Sequence, residues 1–251
     1  MNYKKAIIDV GIPVLSVVFI AVLWIAAASA VGSEYVLPTP SDTFAAMIKL
    51  FGERAFYVAF SGTLLRTLIA FSIAFLLAFI TAYSSYKSVA LKRFFAPVIA
   101  IIRALPTIAI VLLLLVWTNS RVAPMIVTLL VVYPTLHNNL YAALCGIDGE
   151  LTEMCKVFGV PKGKRLKKVI FPQIAPEFIT SFGAGFTLNL KLMVAAEVIS
   201  QTARSMGYLL NTSKVYFEIS TMIALVVVTV ITGLIVEGIF TIVAKRVGGV
   251  K

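Results

Sequence analysis

Residues 148–172, DGELTEMCKVFGVPKGKRLKKVIFP, concentrate charge in a chain that otherwise avoids it. Asp148, Glu150 and Glu153 come first, and Lys156, Lys162, Lys164, Arg165, Lys167 and Lys168 follow. Acids early and bases late suit the dipole of a helix. Leu151, Met154, Val157 and Phe158 recur at helical spacing and lay a narrow apolar stripe along it. Gly159 follows at once, a residue that accepts the left-handed backbone closing a helix, and Pro161 forbids simple continuation. A second short helix from about 162 to 170 then leads to Phe171-Pro172. The stretch reads as an amphipathic helix, a glycine turn and a basic helix. Two kinds of partner suit the stripe, the ends of the chain's own helices or another protein, and composition leaves both open.

The sequence on either side is of another kind. Residues 122–147 carry no charge, and 178–200 carry only Lys191 and Glu197. Further uncharged runs cover 10–33, 67–86, 104–120 and 219–236. A helix needs about 20 apolar residues to cross the ~30 Å hydrocarbon of a bilayer. Six spans are expected, at about 11–31, 60–84, 97–117, 122–145, 177–200 and 218–243, with 146–176 joining the fourth to the fifth. Of the 251 residues, 60% are hydrophobic and 13% charged, against about 45–50% and about 25% in a soluble domain. An ordinary soluble enzyme, a disordered chain and a disulfide scaffold are excluded. The fold class is an all-α integral membrane protein, read as one membrane domain over residues 1–251 because no repeat or low-complexity linker divides it. Cys145 and Cys155, ten residues apart with no CxxC pair, read as free thiols, and no metal site is expected.

The net charge of +11 invites a nucleic-acid reading, but its placement argues otherwise. Six spans put both termini on one side. If that side is the cytoplasm, 14 of the 22 basic residues lie inside, among them Lys4, Lys5, Lys87, Lys92 and Lys251. Only Lys49, Arg54, Arg121, Arg204 and Lys214 lie outside. Positive charge collects on the untranslocated side, so the excess is topological, both termini face the cytoplasm, and nucleic acid is not a partner. Lys4 and Lys5 ahead of an apolar run that ends in Ala28-Ser29-Ala30 look like a signal peptide. The run from Val10 to Ser33 is longer than a signal core, which favours an uncleaved anchor. Between spans one and two, Ser41 or Asp42 is placed to cap a short surface helix with Phe44, Met47, Ile48 and Phe51 on one stripe.

Ionisable residues inside spans are functional candidates. Counting from Glu177, Glu197 lies roughly 30 Å along the fifth span, at the outer boundary, where solvent or a partner would reach it. Lys191 lies roughly 21 Å along; it either faces an anion in a pathway or snorkels to the interface. Gly183, Ala184, Gly185, Thr187 and Asn189 give this span small and polar residues, which serve close helix packing or line a pathway. The pathway is favoured, with Arg103, Thr187, Asn189 and Lys191 as candidate lining. No catalytic residues are expected: the one histidine, His137, has no nucleophilic serine context, and Asp42 and Asp148 lie in loops. No phosphate-cradling Gly-rich loop with Lys-Ser/Thr occurs, so ATP is not bound by this chain.

Glu153-Met154-Cys155-Lys156-Val157-Phe158-Gly159, with Val169-Ile170-Phe171-Pro172 after it, resembles the EAA motif of permease subunits of bacterial type I ATP-binding-cassette (ABC) importers. Leu37-Pro38-Thr39-Pro40, Thr63-Leu64-Leu65-Arg66, Arg103-Ala104-Leu105-Pro106 and Ala195-Ala196-Glu197 followed by Gly207-Tyr208 resemble the nitrate/sulfonate/taurine branch, over about residues 36–243. Met154 and Cys155 depart from the motif's two alanines. The resemblance implies six spans with a cytoplasmic coupling helix, in which Glu153, Met154, Cys155, Val157, Phe158, Gly159 and Pro172 serve coupling to an ATPase. It implies two cytosolic ATPase subunits holding ATP and Mg, an extracytoplasmic solute-binding protein, a second permease copy, expected to be identical, and a place in the bacterial inner membrane. The solute would be a small sulfonate-, taurine- or nitrate-like anion, or a vitamin precursor. A stand-alone secondary transporter or channel is the alternative.

Overall fold

Long apolar runs become long helices because a helix satisfies every backbone polar group within its own segment. The computed structural model describes residues 11–248; Lys4, Lys5 and Lys251 lie outside them. Among the described residues there is no strand, and the helices are α1 (Ile12–Val31), α2 (Pro40–Phe51), α3 (Arg54–Lys87), α4 (Val89–Ala104), α5 (Thr107–Trp117), α6 (Ala123–Cys145), α7 (Gly149–Val157), α8 (Lys162–Ser200), α9 (Met206–Val215) and α10 (Ile219–Gly248).

Helices α1, α3, α8 and α10 are each long and apolar enough to cross a membrane, and α4 with α5 forms a fifth, bent unit. The span expected at 97–117 is thus not straight: its two halves meet at 93°. Pro106 is the cause, since it donates no hydrogen bond and disfavours helical backbone at the residue before it. Leu105 is accordingly extended, at φ −67° and ψ 127°. The segment expected as a span at 122–145 is the helix α6, but it is not among the helices apolar enough to cross a membrane, its 23 residues including the polar His137, Asn138 and Asn139. Packed against both α3 and α8, it forms the middle of the bundle.

The connection expected at 146–176 is shorter than foreseen, because α8 begins at Lys162 and runs unbroken to Ser200. Phe171-Pro172 does not end it. Residues 166–170 form a π turn, in which the Phe171 N–H donates to the Leu166 carbonyl five residues back. A widened turn of this kind accommodates a proline ring that would clash with an ordinary helical ladder. Pro172 lies within the helix, exposed.

Lipid is as apolar as a leucine side chain, so helices in a membrane hold together by close packing of small residues. On α3 the buried positions include Ala59, Thr63, Thr67, Ala70, Ala74, Ala78, Ala82 and Ser85, recurring every three or four residues. This trough of small side chains receives the larger Val132, Leu136, Leu140 and Leu144 of α6 in one core with Phe71 and Phe186. By contrast α1 stands off the bundle with apolar side chains exposed along its length. Trp24 Nε1 donates to the Pro38 carbonyl at 3.0 Å and ties it to the start of α2. The cap of α2 is Thr39 rather than Ser41 or Asp42: Thr39 accepts from the Asp42 N–H and Asp42 accepts from the Thr39 N–H. The Thr39 hydroxyl, and then its N–H, hold the Asp42 carboxyl below its usual range. Of the stripe expected on α2, Met47 is half-buried while Phe44, Ile48 and Phe51 are exposed; Leu50 is the buried anchor.

Candidate functional site

The site is built around α7. Asp148 caps it, its Oδ1 accepting from the Leu151 N–H at 3.0 Å, and Gln173 of α8 accepts from the Asp148 N–H at 2.9 Å. At the other end Gly159 has φ +66°. The Gly159 N–H donates to the Lys156 carbonyl at 3.0 Å and the Val160 N–H to the Cys155 carbonyl at 2.9 Å. This pair of bonds is the Schellman closure of a helix, which requires a left-handed residue at this position. Both ends of a nine-residue helix are therefore fastened, one of them directly to α8.

Its faces differ. Leu151, Met154, Val157 and Phe158 are exposed by 39%, 50%, 83% and 77%, whereas Cys155 is buried. The stripe thus turns away from the bundle, so the ends of the chain's own helices do not cover it. Cys155 does not belong to that surface: it points inward, and its expected part in an outward docking face is corrected. Glu153 and Lys156 border a cavity of about 950 Å³ between α7 and the near ends of α3, α8 and α10. Its walls are mainly aromatic and aliphatic, including Phe79, Phe178, Phe182 and Phe240.

Helix α8 also separates its faces. Thr187 Oγ1 donates to the Gly233 carbonyl of α10 at 3.0 Å, and Asn189 Nδ2 donates to the Thr67 carbonyl of α3 at 2.9 Å. Both side chains are buried. A Cβ on Gly185 would lie 2.6 Å from Leu136 Cδ2, so this glycine is what lets α8 and α6 approach. The polar and small residues expected to line a pathway at Thr187 and Asn189 instead join helices. Thr180, Ala184, Lys191 and Ala195 are exposed on the opposite side, and Lys191 is the one expected lining residue of α8 found there.

Glu197 is likewise corrected. It is fully buried rather than at an outer interface, because its partners come from α3. Arg66 Nη2 approaches Oε1 at 2.8 Å, the Thr63 hydroxyl donates to Oε2 at 2.7 Å, and the Gly207 N–H donates to Oε2 at 3.4 Å. Thr63 Oγ1 also accepts from the Met206 N–H at 2.9 Å. A buried charge needs such a set of partners. The cluster pins α3, α8 and the start of α9 at the end opposite α7, and it is the one ion pair among the described residues. Arg103, at the bend between α4 and α5, is exposed and opens onto a smaller cavity.

A protein-family profile described as "Binding-protein-dependent transport system inner membrane component" matches residues 74–249. The taurine transport system permease protein TauC of Escherichia coli K12 is 21% identical over 226 residues, covering 88% of this chain and 82% of that one. The formylaminopyrimidine transport permease protein ThiX of Halalkalibacterium halodurans is 20% identical over 190 residues, covering 75% and 74%. A putative ABC transporter permease protein, MJ0413 of Methanocaldococcus jannaschii, is 22% identical and covers 94% and 89%. Among solved structures, an amino acid ABC transporter with histidines superposes with a TM-score of 0.66 at 18% identity, over 81% of this chain and 98% of that one. The MetNI methionine ABC transporter in an inward-facing conformation superposes with 0.61 at 16% identity, over 74% and 93%. These structures share the type I ABC importer permease fold with the chain.

Proposed function

The chain belongs to the family of binding-protein-dependent transport system inner membrane components, as a permease subunit of an ABC importer without an ATP site of its own, and on that premise we propose that α7 is the coupling helix through which partner ATPases drive it. The observation that carries this reading is the exposed stripe of Met154, Val157 and Phe158 on a helix capped at both ends. A short helix has no reason to hold large apolar side chains in water unless another surface covers them. Its fastening to α8, and the continuity of α8 from Lys162 to Ser200, make it a rigid handle on a membrane-crossing rod. ATP and Mg are held by two cytosolic ATPase subunits, an extracytoplasmic binding protein delivers the solute, and a second identical copy completes the permease. The α7 end faces the cytoplasm of a bacterial inner membrane, which Lys156, Lys162, Lys164, Arg165, Lys167 and Lys168 around it support.

For the solute we favour a small organic anion of the sulfonate class. A taurine permease is among the relatives, and Lys191 and Arg103 are exposed cations with no carboxylate partner among the described residues. The expected result of Phe158→Asp is that the ATPase no longer co-purifies and uptake of radiolabelled taurine stops, while the permease itself is still inserted. Co-purification at the wild-type level contradicts the coupling assignment. Taurine uptake that survives Lys191→Ala undiminished removes Lys191 from the pathway.

A further inference from the structure

We propose that the cavity between the α7-proximal end of α3, one face of α4 and the middle of α6 is a binding site for a tetrahedral oxyanion of the sulfonate or phosphate class. The cavity holds about 310 Å³, within the lower range of small-molecule sites. Lys92 and Arg103, both on the same face of α4, line it. They are eleven residues, roughly 16 Å of helix, apart, so positive charge stands toward both ends of the trough. The facing wall is Ser85 from α3 and His137, Asn138 and Tyr141 from α6. No carboxylate belongs to the lining, so neither cation is neutralised there and a cationic ligand is disfavoured.

Ser85 is 3% exposed and its Oγ has no hydrogen-bond partner. The Oγ itself is closed off from the cavity, so Ser85 completes the wall, and the polar groups open to a ligand are the amide, imidazole, phenol and two cations. The rest of the wall is preorganised. Tyr133 donates to Thr81 Oγ1 at 3.2 Å, Thr81 Oγ1 lies 2.8 Å from His137 Nδ1, and His137 stacks on Tyr141 with an interplanar angle of 2°. Lys92 Nζ stands 5.0 Å from the centre of the Tyr141 ring, which holds the ammonium at the cavity without discharging it. An amide or phenol donor beside a Lys or an Arg is a pairing that binds oxyanions, and each end of the trough offers one cation for it.

The same chemistry serves a transported sulfonate on its way out or the headgroup of an anionic lipid. That the site lies at the cytoplasmic end rests on the orientation proposed above; the binding chemistry does not. The assembled transporter, reconstituted in nanodiscs of neutral phosphatidylcholine without its binding protein, is titrated with radiolabelled sulfate. Saturable binding is expected, weakened about tenfold in Arg103→Gln, which is about 1.4 kcal/mol, and restored in Arg103→Lys. In discs that contain phosphatidylglycerol, native mass spectrometry reads lipid retained by the wild type and lost in Arg103→Gln. Sulfate binding assigns the site to a free anion, and lipid retention that displaces sulfate assigns it to a headgroup; either supports an oxyanion site. Neither sulfate binding nor Arg103-dependent lipid retention, in variants that melt as the wild type does, overturns it. ATPase activity measured in the same discs separates the two ideas, since coupled turnover without anion binding sinks the site alone.

Discussion

At the residue scale the cluster around Glu197 carries the largest local electrostatic commitment in the described structure. Its carboxylate is enclosed and its charge is matched by Arg66 at 2.8 Å, so removing one partner strands the other. Glu197→Ala is expected to lower the stability of the purified permease by about 3 kcal/mol, read as a fall in melting temperature in detergent. Glu197→Gln, which keeps the shape and an acceptor for Thr63, is expected to cost less. Equal melting of Glu197→Ala and wild type would show that the pair contributes nothing. The sequence presents Glu197 as the acid of a boundary because counting along a helix yields depth and says nothing of neighbours. Arg66 lies 131 positions away in the chain, and no periodicity reveals that contact. Thr187 and Asn189 mislead for a related reason: a polar side chain in a span looks the same in sequence whether it meets solute or a neighbouring backbone carbonyl.

At the element scale the α7 segment is the most legible part of the chain. Charge order, the three-and-four spacing of Leu151, Met154, Val157 and Phe158, and Gly159 specify α7 and its left-handed stop, and the structure has both. Two proline effects are not legible. Pro172 marks an expected end of helix, yet a π turn just before it absorbs the ring. Pro106 sits within an expected straight span and breaks it. Proline forbids one bond in both places, and the surrounding packing decides whether the chain bends or adjusts. The ladder of small residues on α3 at Ala74, Ala78 and Ala82 carries no signal in the sequence alone, because alanine also suits a lipid-facing helix. For Gly159 the space is open, with nothing within 4 Å of the place a Cβ would take, so only backbone conformation constrains it. A β-branched residue resists positive φ, and Gly159→Val is expected to leave insertion intact while reducing transport per ATP hydrolysed. Gly159→Asn, which tolerates the left-handed region, is expected to retain most coupling. Equal coupling in the valine and wild-type transporters would remove the turn from the mechanism.

At the scale of the whole molecule the described chain is a bundle with a different fixture at each end. One end is locked by the Arg66–Glu197 cluster; the other carries α7, whose apolar side chains face outward on a helix tied to α8. Displacement of α7 would pass into α8, and from α8 to α6 and α10, which pack along it. The measurement that tests this most directly is a cross-link from α7 in the intact complex. A photoreactive benzoylphenylalanine at Phe158 is expected to join the ATPase subunit in high yield, with a yield that changes between the nucleotide-free and ATP-bound states. A cross-link that forms only to lipid or to the permease itself, in a complex whose ATPase still co-purifies, would contradict the account.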